Sequence, residues 1–223
     1  MDYNIFMNLP AYITDFMQSF TDKGYKIYLV GGAVRHLVMG HHIVNWDFTT
    51  NAKPEQIMKL HERSFYNNNF GTVGTPIEVN GEIIVMETTT FRREAEYTDA
   101  RRPNKVEWAD TLEEDLGRRD FTINAMAYDG HKIVDPYGGQ EDIQKKVIRA
   151  VGDADVRFNE DALRLMRAVR QAAQLGFMIE PITMSSLQKN AQLITKISWE
   201  RIRDEFFKLL ASPYPADGIL MLK

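Results

Sequence analysis

The sequence contains no cysteine among its 223 residues. This absence excludes disulfide bonds, thiolate zinc sites and cysteine nucleophiles, so any chemistry must come from carboxylates, histidines, hydroxyls or bound metal. No apolar run approaches the roughly 20 residues that a membrane-spanning helix needs, and the N-terminus, with Asp2 and Asn4, lacks the positively charged start of a signal peptide. We therefore expect a cytoplasmic protein without a membrane partner.

The sequence also lacks an excess of positive charge, because its formal net charge at pH 7 is −4. Such a balance ordinarily argues against a nucleic-acid partner, but local patches matter more than the sum. The basic residues are clustered at Arg92-Arg93, Arg101-Arg102, Arg118-Arg119, Lys145-Lys146 and between Arg157 and Arg170. Nucleic acid therefore stays a candidate partner.

The spacing of apolar residues changes near Val151. Before it, short β-rich runs alternate with helices, and after it helical spacing dominates. Asn80-Gly81 predicts a type I′ hairpin, and we expect Asp129-Gly130 to repeat it. The other predicted elements are a first helix with Leu9, Ile13, Phe16, Met17 and Phe20 on one face, a strand from Lys26 to Val30, and a short helix from a Thr111/Glu114 capping box to Arg118-Arg119. The pattern predicts an α/β fold with a mixed, partly antiparallel sheet.

A Gly-Gly pair, Gly31-Gly32, separates an apolar strand from a predicted helix, Ala33 to Met39. Glycines let backbone N–H groups approach phosphate oxygens closely, and the positive end of the helix faces the same anion. This arrangement suits a nucleoside triphosphate. A plain strand-to-helix turn is the alternative.

An acidic strand follows, with the sequence Asn45-Trp46-Asp47. Because side chains alternate along a strand, Asn45 and Asp47 are expected on one face and Trp46 in the core. Glu87 could join them from an adjacent strand. Such a cluster can hold Mg²⁺ between an attacking hydroxyl and a triphosphate. The alternatives are a capping or solvated carboxylate at Asp47 and an exposed strand position at Glu87.

Several motifs occur together in a characteristic order between about Tyr25 and Leu210. They are Gly31-Gly32-Ala33-Val34-Arg35, Asn45-x-Asp47, Glu87-Thr88-Thr89-Thr90-Phe91, Arg118-Arg119-Asp120-Phe121-Thr122-Ile123-Asn124-Ala125, Asp135-Pro136-Tyr137-Gly138-Gly139 and Glu160 to Arg170. This set resembles the class II tRNA nucleotidyltransferases (CCA-adding enzymes) and the bacterial poly(A) polymerases. The resemblance implies a polymerase-beta-like nucleotidyltransferase head, residues 1–149, followed by an all-helical neck, residues 150–223.

The resemblance also implies roles for individual residues of the head. Gly31, Gly32 and Arg35 would hold the triphosphate. Asn45 and Asp47 would hold Mg²⁺, with Glu87 as a further carboxylate near the primer hydroxyl. The remaining predicted nucleotide contacts in the head are Arg118 and Arg119 to phosphates, and Asp120 and Asn124 beside the sugar. For Arg118-Arg119 the alternative is a charge pair at a helix end.

In the neck, Glu160 to Arg170 resembles the nucleotide-selecting helix of the family. Asp161 and Arg164 are three residues apart and are expected to share a helix face, with Arg167 on the same polar stripe. A carboxylate and a guanidinium together match the pairing edges of C and A, so the protein itself would select the base. A surface ion pair is the alternative. The charged segment Arg92 to Lys105 resembles the family's flexible loop, or else is a solvated connector.

The sequence departs from the family pattern at three places. Asn45 replaces an Asp, which predicts weaker metal binding and slower chemistry. His36 stands where an Asp is common, and His41-His42 replace an Arg-Pro pair; three nearby histidines without a fourth ligand argue against a zinc site. Family members also continue past Leu210 into helical domains that grip tRNA, so we expect reduced tRNA affinity for this length.

The function expected from the resemblance is template-independent addition of CMP and AMP, from CTP and ATP, to the 3′ end of tRNA. Poly(A) polymerase is the enzymatic alternative. The other alternative is a catalytically weakened nucleotide- or RNA-binding protein of the same fold, which Asn45 and the short C-terminus suggest. The oligomeric state is open.

Overall fold

The computed structural model describes residues 9–67, 71–95 and 105–223. Contacts divide the chain into two compact units. The first comprises Met1–Arg92, Trp108–Leu112 and Met126–Val134, and the second Arg93–Glu107, Glu113–Ala125 and Asp135–Lys223. The division into head and neck near residue 149 stays a prediction. Among the described residues, none of the helices is both long and apolar enough to cross a bilayer.

The first unit contains a seven-stranded mixed sheet with the strand order β3-β4-β5-β2-β1-β8-β9. β2 and β5 are parallel, and the other neighbours are antiparallel. The mixed, partly antiparallel sheet predicted from the sequence is confirmed. The strands of this sheet are β1 Ile27–Val30, β2 Asp47–Thr50, β3 Phe65–Tyr66, β4 Thr72–Val79, β5 Glu82–Thr90, β8 Ala127–Tyr128 and β9 Ile133–Val134. A separate two-stranded sheet consists of β6 Arg92–Ala95 and β7 Lys105–Trp108.

The described residues of the first unit include three helices, α1 Ala11–Thr21, α2 Gly32–Met39 and α3 Pro54–Leu60. α1 buries Ile13, Phe16, Met17 and Phe20, as its apolar spacing predicted. The Phe16 ring lies 5.1 Å from that of Phe48 on β2. Aromatic burial of this kind supplies much of the apolar area that fixes a helix on a sheet.

The two predicted hairpins differ in the structure. Asn80 and Gly81 join β4 to β5 with φ of 53° and 85°, which confirms the type I′ turn. The hairpin around Asp129-Gly130 is confirmed, because β8 and β9 pair antiparallel with Tyr128 opposite Ile133. A two-residue turn there is wrong, since residues 129–132 join the two strands. The Asp129 carboxylate accepts hydrogen bonds from the backbone N–H groups of His131 and Lys132. This side-chain turn lengthens the connection.

The second unit is mainly helical, as the change of spacing near Val151 predicted. Its elements are α4 Leu112–Gly117, a 3-10 helix Thr122–Asn124, α5 Gly139–Lys145, β10 Val147–Ile148, α6 Ala154–Glu160, α7 Leu163–Leu175, β11 Met178–Ile179, α8 Pro181–Asn190, a second 3-10 helix Ala191–Lys196, α9 Trp199–Leu210 and α10 Pro215–Met221. α7 is the buried centre of this unit, and nine of its residues are buried.

The continuous helix expected from Glu160 to Arg170 is wrong. α6 ends at Glu160, and Asp161 has an extended backbone with φ −139° and ψ 103°. Arg164 on α7 is only 7% exposed, so it does not lie on the exposed polar stripe that the sequence pattern indicated. Tertiary packing buries both sides of this helix.

Candidate active site

The turn between β1 and α2 forms one wall of the candidate site. β1 ends at Val30, Gly31 has φ 67° and ψ −136°, and α2 begins at Gly32. The positive φ disfavours a residue with a Cβ at position 31. The predicted order of strand, Gly-Gly and helix is confirmed, and it places the N-terminal end of α2 at the site.

A pocket of about 150 Å³ lies beside this turn. Its lining residues are Gly32, Ala33, Arg35, His36, Ile43, Val44, Asn45 and Asp47. The structure therefore brings together Arg35, Asn45 and Asp47. Asn45 precedes β2 rather than lying within it, which corrects the predicted start of the strand. Trp46 between them is only 6% exposed, so the predicted alternation of side chains holds.

Glu87 lies opposite Asp47 in the parallel ladder between β5 and β2. Register partners in a ladder point to the same face of the sheet, so the two carboxylates share a face. Asn67 Nδ2 donates a hydrogen bond of 3.0 Å to Glu87 Oε1. Sequence reasoning missed Asn67, because no local spacing relates a residue that follows β3 to Glu87 on β5.

The donors of Asn45, Asp47 and Glu87 are all oxygens, which are the ligands that Mg²⁺ prefers. Among the described residues of the pocket lining, Asp47 alone carries a negative charge, since Asn45 is a neutral amide and Arg35 is positively charged. Within the part of the chain that the structure describes, no three His, Asp or Glu residues are grouped as a metal site. What the structure shows is that two of these oxygen donors, the Asp47 and Glu87 carboxylates, come from neighbouring strands.

His36 is half-buried between this pocket and the segment that follows α2. Its Nδ1 lies 3.0 Å from the carbonyl oxygen of His42, and its ring stands edge-on to His41 at 5.9 Å. Burial is the main cause that lowers the pKa of His36, although the hydrogen bond to His42 opposes it. The ring is therefore mainly neutral at pH 7.

A second group of predicted residues forms a network in the helical unit. Arg167 donates from Nε and Nη2 to Asp120 Oδ2 at 2.8 and 2.5 Å. Asn124 Nδ2 donates to Asp120 Oδ1 at 3.0 Å and to Gln171 Oε1 at 2.9 Å. Burial alone would raise the pKa of Asp120, but Arg167 and Asn124 outweigh it and hold that pKa well below its usual range. Gln171 was missed, although its spacing of four residues from Arg167 could have indicated it.

Arg118 and Arg119 follow the end of α4 and pair with one carboxylate on that helix. Arg118 Nε and Nη2 donate to Asp115 Oδ1 at 3.0 and 2.9 Å, and Arg119 Nη2 donates to Asp115 Oδ2 at 3.3 Å. Asp115 is fully buried. Both guanidinium groups are therefore held in place, and the spacing of three and four residues could have indicated Asp115 from the sequence.

Asp161 and Arg164 do not share a helix face as predicted, because Asp161 lies in the break between α6 and α7. Arg164 donates to Glu160 Oε2 at 2.5 Å and to the carbonyl oxygen of Arg118 at 2.9 Å. Asp161 Oδ2 accepts from Arg201 Nη2 at 2.9 Å. The alternative of a mutual surface ion pair is also wrong, since each residue has a different partner.

The predicted flexible loop, Arg92 to Lys105, falls mostly on residues 96–104, which lie outside the described residues. At its two ends, β6 and β7 pair in the small sheet. Arg93 Nε lies 3.1 Å from Glu107 Oε2 across this pair. The role of the loop stays a prediction.

Comparisons with known proteins give the family. The model described as Poly A polymerase head domain matches residues 27–149, more than half of the chain, and one described as probable RNA and SrmB-binding site of polymerase A matches residues 176–223. A CCA-adding enzyme of Geobacillus thermodenitrificans (strain NG80-2) is 46% identical over 200 residues, covering 89% of this chain and 49% of the relative.

Two solved structures are similar along nearly the whole chain. The Bacillus stearothermophilus CCA-adding enzyme in complex with CTP matches with a TM-score of 0.85 and 38% identity, over 96% of this chain and 52% of that one. The Thermotoga maritima CCA-adding enzyme complexed with tRNA-CCA matches with a TM-score of 0.76 and 25% identity, over 95% and 50%. The chain spans about half the length of the curated relatives it matches. With the Gly-Gly turn, the carboxylate face and the head-domain match in agreement, the chain belongs to the Poly A polymerase head domain family of nucleotidyltransferases.

Proposed function

We propose that this chain adds CMP and AMP to the 3′ end of tRNA, using CTP and ATP without a nucleic-acid template. The observation that carries the proposal is the pocket beside the Gly-Gly turn that Arg35, Asn45 and Asp47 line together. The similar structures named as complexes with CTP and with tRNA support it. The absence of cysteine supports a cytoplasmic location for this activity.

The residues of the pocket have different roles in the transfer of the nucleotide. The backbone of Gly31 and Gly32 and the Arg35 guanidinium bind the triphosphate. Asp47, with Asn45 and Glu87, would hold Mg²⁺, which when bound activates the attacking hydroxyl and neutralises charge on the leaving pyrophosphate. The 3′ hydroxyl of the RNA attacks the α-phosphorus, and pyrophosphate leaves.

The residues of the helical unit bind and select the nucleotide in this proposal. Arg118 and Arg119, held by Asp115, contact phosphates, and the network of Asp120, Asn124 and Arg167 lies beside the sugar. Asp161 and Arg164 select C and A. Since Arg164 is held by Glu160 and a backbone carbonyl, its orientation is preorganised, which lowers the entropic cost of recognising a base.

Asn45 gives the first prediction. We expect the unaltered chain to add C, C and A in order to a tRNA that lacks its CCA end, in Mg²⁺. The variant Asn45→Asp should do so about 10-fold faster, because a second carboxylate strengthens a hard-cation site. The measurement is incorporation of labelled CTP and then ATP, with Asn80→Asp as a control that adds the same charge in the β4–β5 turn. Nucleotide binding without product in either protein would instead support a binding protein.

Asp161 gives the second prediction, on base selection. Asp161→Ala should relax discrimination against UTP and GTP by about 10-fold, the low end of the value of a good base contact. Arg201→Ala is the matched control, because it breaks the same ion pair and leaves the carboxylate in place. Competition assays with all four nucleotides test this. Equal loss of selectivity in the two variants would show that the ion pair, and not recognition by Asp161, is responsible.

A further inference from the structure

We propose that the aromatic ring of Phe65 stacks on the 3′-terminal base of the RNA that receives the nucleotide. The proposal rests on the proposed function for the presence of that RNA, and it goes further by naming a surface that holds the RNA end. Phe65 is the first residue of β3. It lies outside the pocket lined by Arg35, Asn45 and Asp47.

A single row of residues connects Phe65 to the carboxylates of the candidate site. Phe65 pairs with Gly74 on β4, and Gly74 pairs with Glu87 on β5. Glu87 in turn pairs with Asp47 on β2. Register partners point to the same face of a sheet. The aromatic ring and the two carboxylates therefore share one face.

The missing side chain of Gly74 brings the ring close to Glu87. A Cβ at position 74 would lie 2.6 Å from the Phe65 ring, so the ring occupies space above β4 that another residue would fill. Because β4 and β5 are neighbours, the ring lies about one strand spacing, roughly 5 Å, from the position of Glu87 in the row. The hydrogen bond from Asn67 to Glu87 connects the end of β3 to the same carboxylate.

The Phe65 side chain is accessible to a ligand, since it is 45% exposed. Val85 and Ile83 lie on the same face of β5 as Glu87, because side chains alternate along a strand, and they are also exposed. Every nucleic-acid base has a π-face, and proteins that bind single strands stack such bases on aromatic side chains. An exposed aromatic ring on an apolar face therefore suits a base better than a phosphate.

The order of the strands decides between the RNA end and the incoming nucleotide. The Gly31-Gly32 turn follows β1, and β1 and β3 lie on opposite sides of β2 and β5 in the sheet. The carboxylates of Asp47 and Glu87 therefore lie between the turn that binds the triphosphate and Phe65. In nucleotidyl transfer the attacking and leaving oxygens are roughly in line, on opposite sides of the phosphorus. Phe65 is on the side of the attacking 3′ hydroxyl, so it stacks on the base of the nucleotide that carries this hydroxyl.

The experiment uses the full chain and a tRNA that lacks its CCA end and carries 5-iodouridine as its 3′-terminal nucleotide. Irradiation crosslinks this base to an aromatic side chain that stacks on it, and mass spectrometry identifies the residue. We expect the crosslink at Phe65. In Phe65→Ala it should be lost, and the RNA should bind about 10-fold more weakly, near the low end of the value of one stacked base. In incorporation assays this variant should raise KM for the RNA about 10-fold and change KM for CTP by less than about 2-fold.

Tyr66→Ala is the matched control for Phe65→Ala. Tyr66 is the next residue of β3, is 46% exposed and points to the opposite face of the sheet. Its removal should leave both the crosslink and the affinity for RNA unchanged. Phe65→Leu keeps an apolar side chain without an aromatic face and should also weaken RNA binding, which tests the proposal even if Phe65→Ala folds poorly.

Three results would overturn the stacking contact: a crosslink at another residue, no crosslink in the unaltered chain, or equal RNA affinity in the unaltered chain and both Phe65 variants. Incorporation of C and A without a crosslink at Phe65 overturns only this contact. A crosslink at Phe65 without incorporation under any ion overturns only the proposed function.

Discussion

Asp47→Asn is expected to lower nucleotide incorporation by about 10³-fold, because the loss of several kcal/mol of charge stabilisation has that effect on a rate. Within the described parts of the chain, Asp47 is the only carboxylate that lines the pocket with Arg35 and Asn45. The substitution keeps the size of the side chain but leaves two amides where the family resemblance implies two carboxylates. Initial rates of CTP incorporation in Mg²⁺ and in Mn²⁺ measure the loss.

A control for Asp47→Asn is available in the same sheet. Glu78→Gln, at an exposed position of β4, removes one negative charge away from the pocket. It should change the rate by less than about 2-fold, since exposed charges at a distance are screened by salt. Suppose that both variants retained full activity and showed the same urea unfolding transition as the unaltered protein. Asp47 would then have no role in catalysis, and the pocket would not be the active site.

Arg167→Ala is expected to lower the free energy of unfolding by about 3 kcal/mol at pH 7. Removing one partner of a buried ion pair leaves an uncompensated charge, here on Asp120, which is 7% exposed. The value is at the low end for such pairs because the Arg167 side chain is 36% exposed. Asn124 also still donates to Asp120. Urea denaturation followed by circular dichroism measures the difference.

The pH dependence of this difference has a definite sign. The pKa of Asp120 is lower in the folded protein than in the unfolded chain, so its contribution to stability is complete above about pH 4 and is lost as the pH falls. In Arg167→Ala the buried carboxylate loses the partner that depresses its pKa. Between pH 7 and pH 3 the unaltered protein should therefore lose more stability than the variant. The difference in free energy of unfolding between the two proteins should be smaller at pH 3 than at pH 7.

Arg203→Ala is the matched control for Arg167→Ala. Arg203 pairs with Asp204 on α9, where both side chains are about half exposed, 49% and 57%. Exposed pairs contribute little, so this variant should differ from the parent by less than about 1 kcal/mol at either pH. Equal destabilisation by the two variants would mean that the Asp120 network is no stronger than a surface contact.

The features predicted correctly from the sequence are those that neighbouring residues decide. The strand, Gly-Gly and helix around Gly31, the apolar face of α1 and the turn at Asn80-Gly81 each depend on spacing or backbone freedom within a few residues. The resemblance to a nucleotidyltransferase also rests on such short motifs. By contrast, the dipeptide Asp129-Gly130 is typical of a two-residue hairpin turn. Here the Asp129 side chain accepts hydrogen bonds from His131 and Lys132, and the turn is longer.

The partners of the candidate site residues depend on contacts between segments far apart in the sequence. Arg167 meets Asp120, Arg201 meets Asp161, and Asn67 meets Glu87. No local pattern predicts such pairs, because the fold alone brings the two segments together. The break between α6 and α7 at Asp161 was not predicted either. There the Asp161 side chain pairs with Arg201, which is 40 residues away in the sequence.

The sequence by itself determined the types of residue available for chemistry, the mixed sheet followed by helices, and the turn that precedes α2, because local backbone preferences and apolar spacing specify them. Only the tertiary structure decided that Asn45, Asp47 and His36 line one pocket and that Arg164 is buried. Those outcomes depend on which surfaces pack together, and packing brings together side chains from different elements.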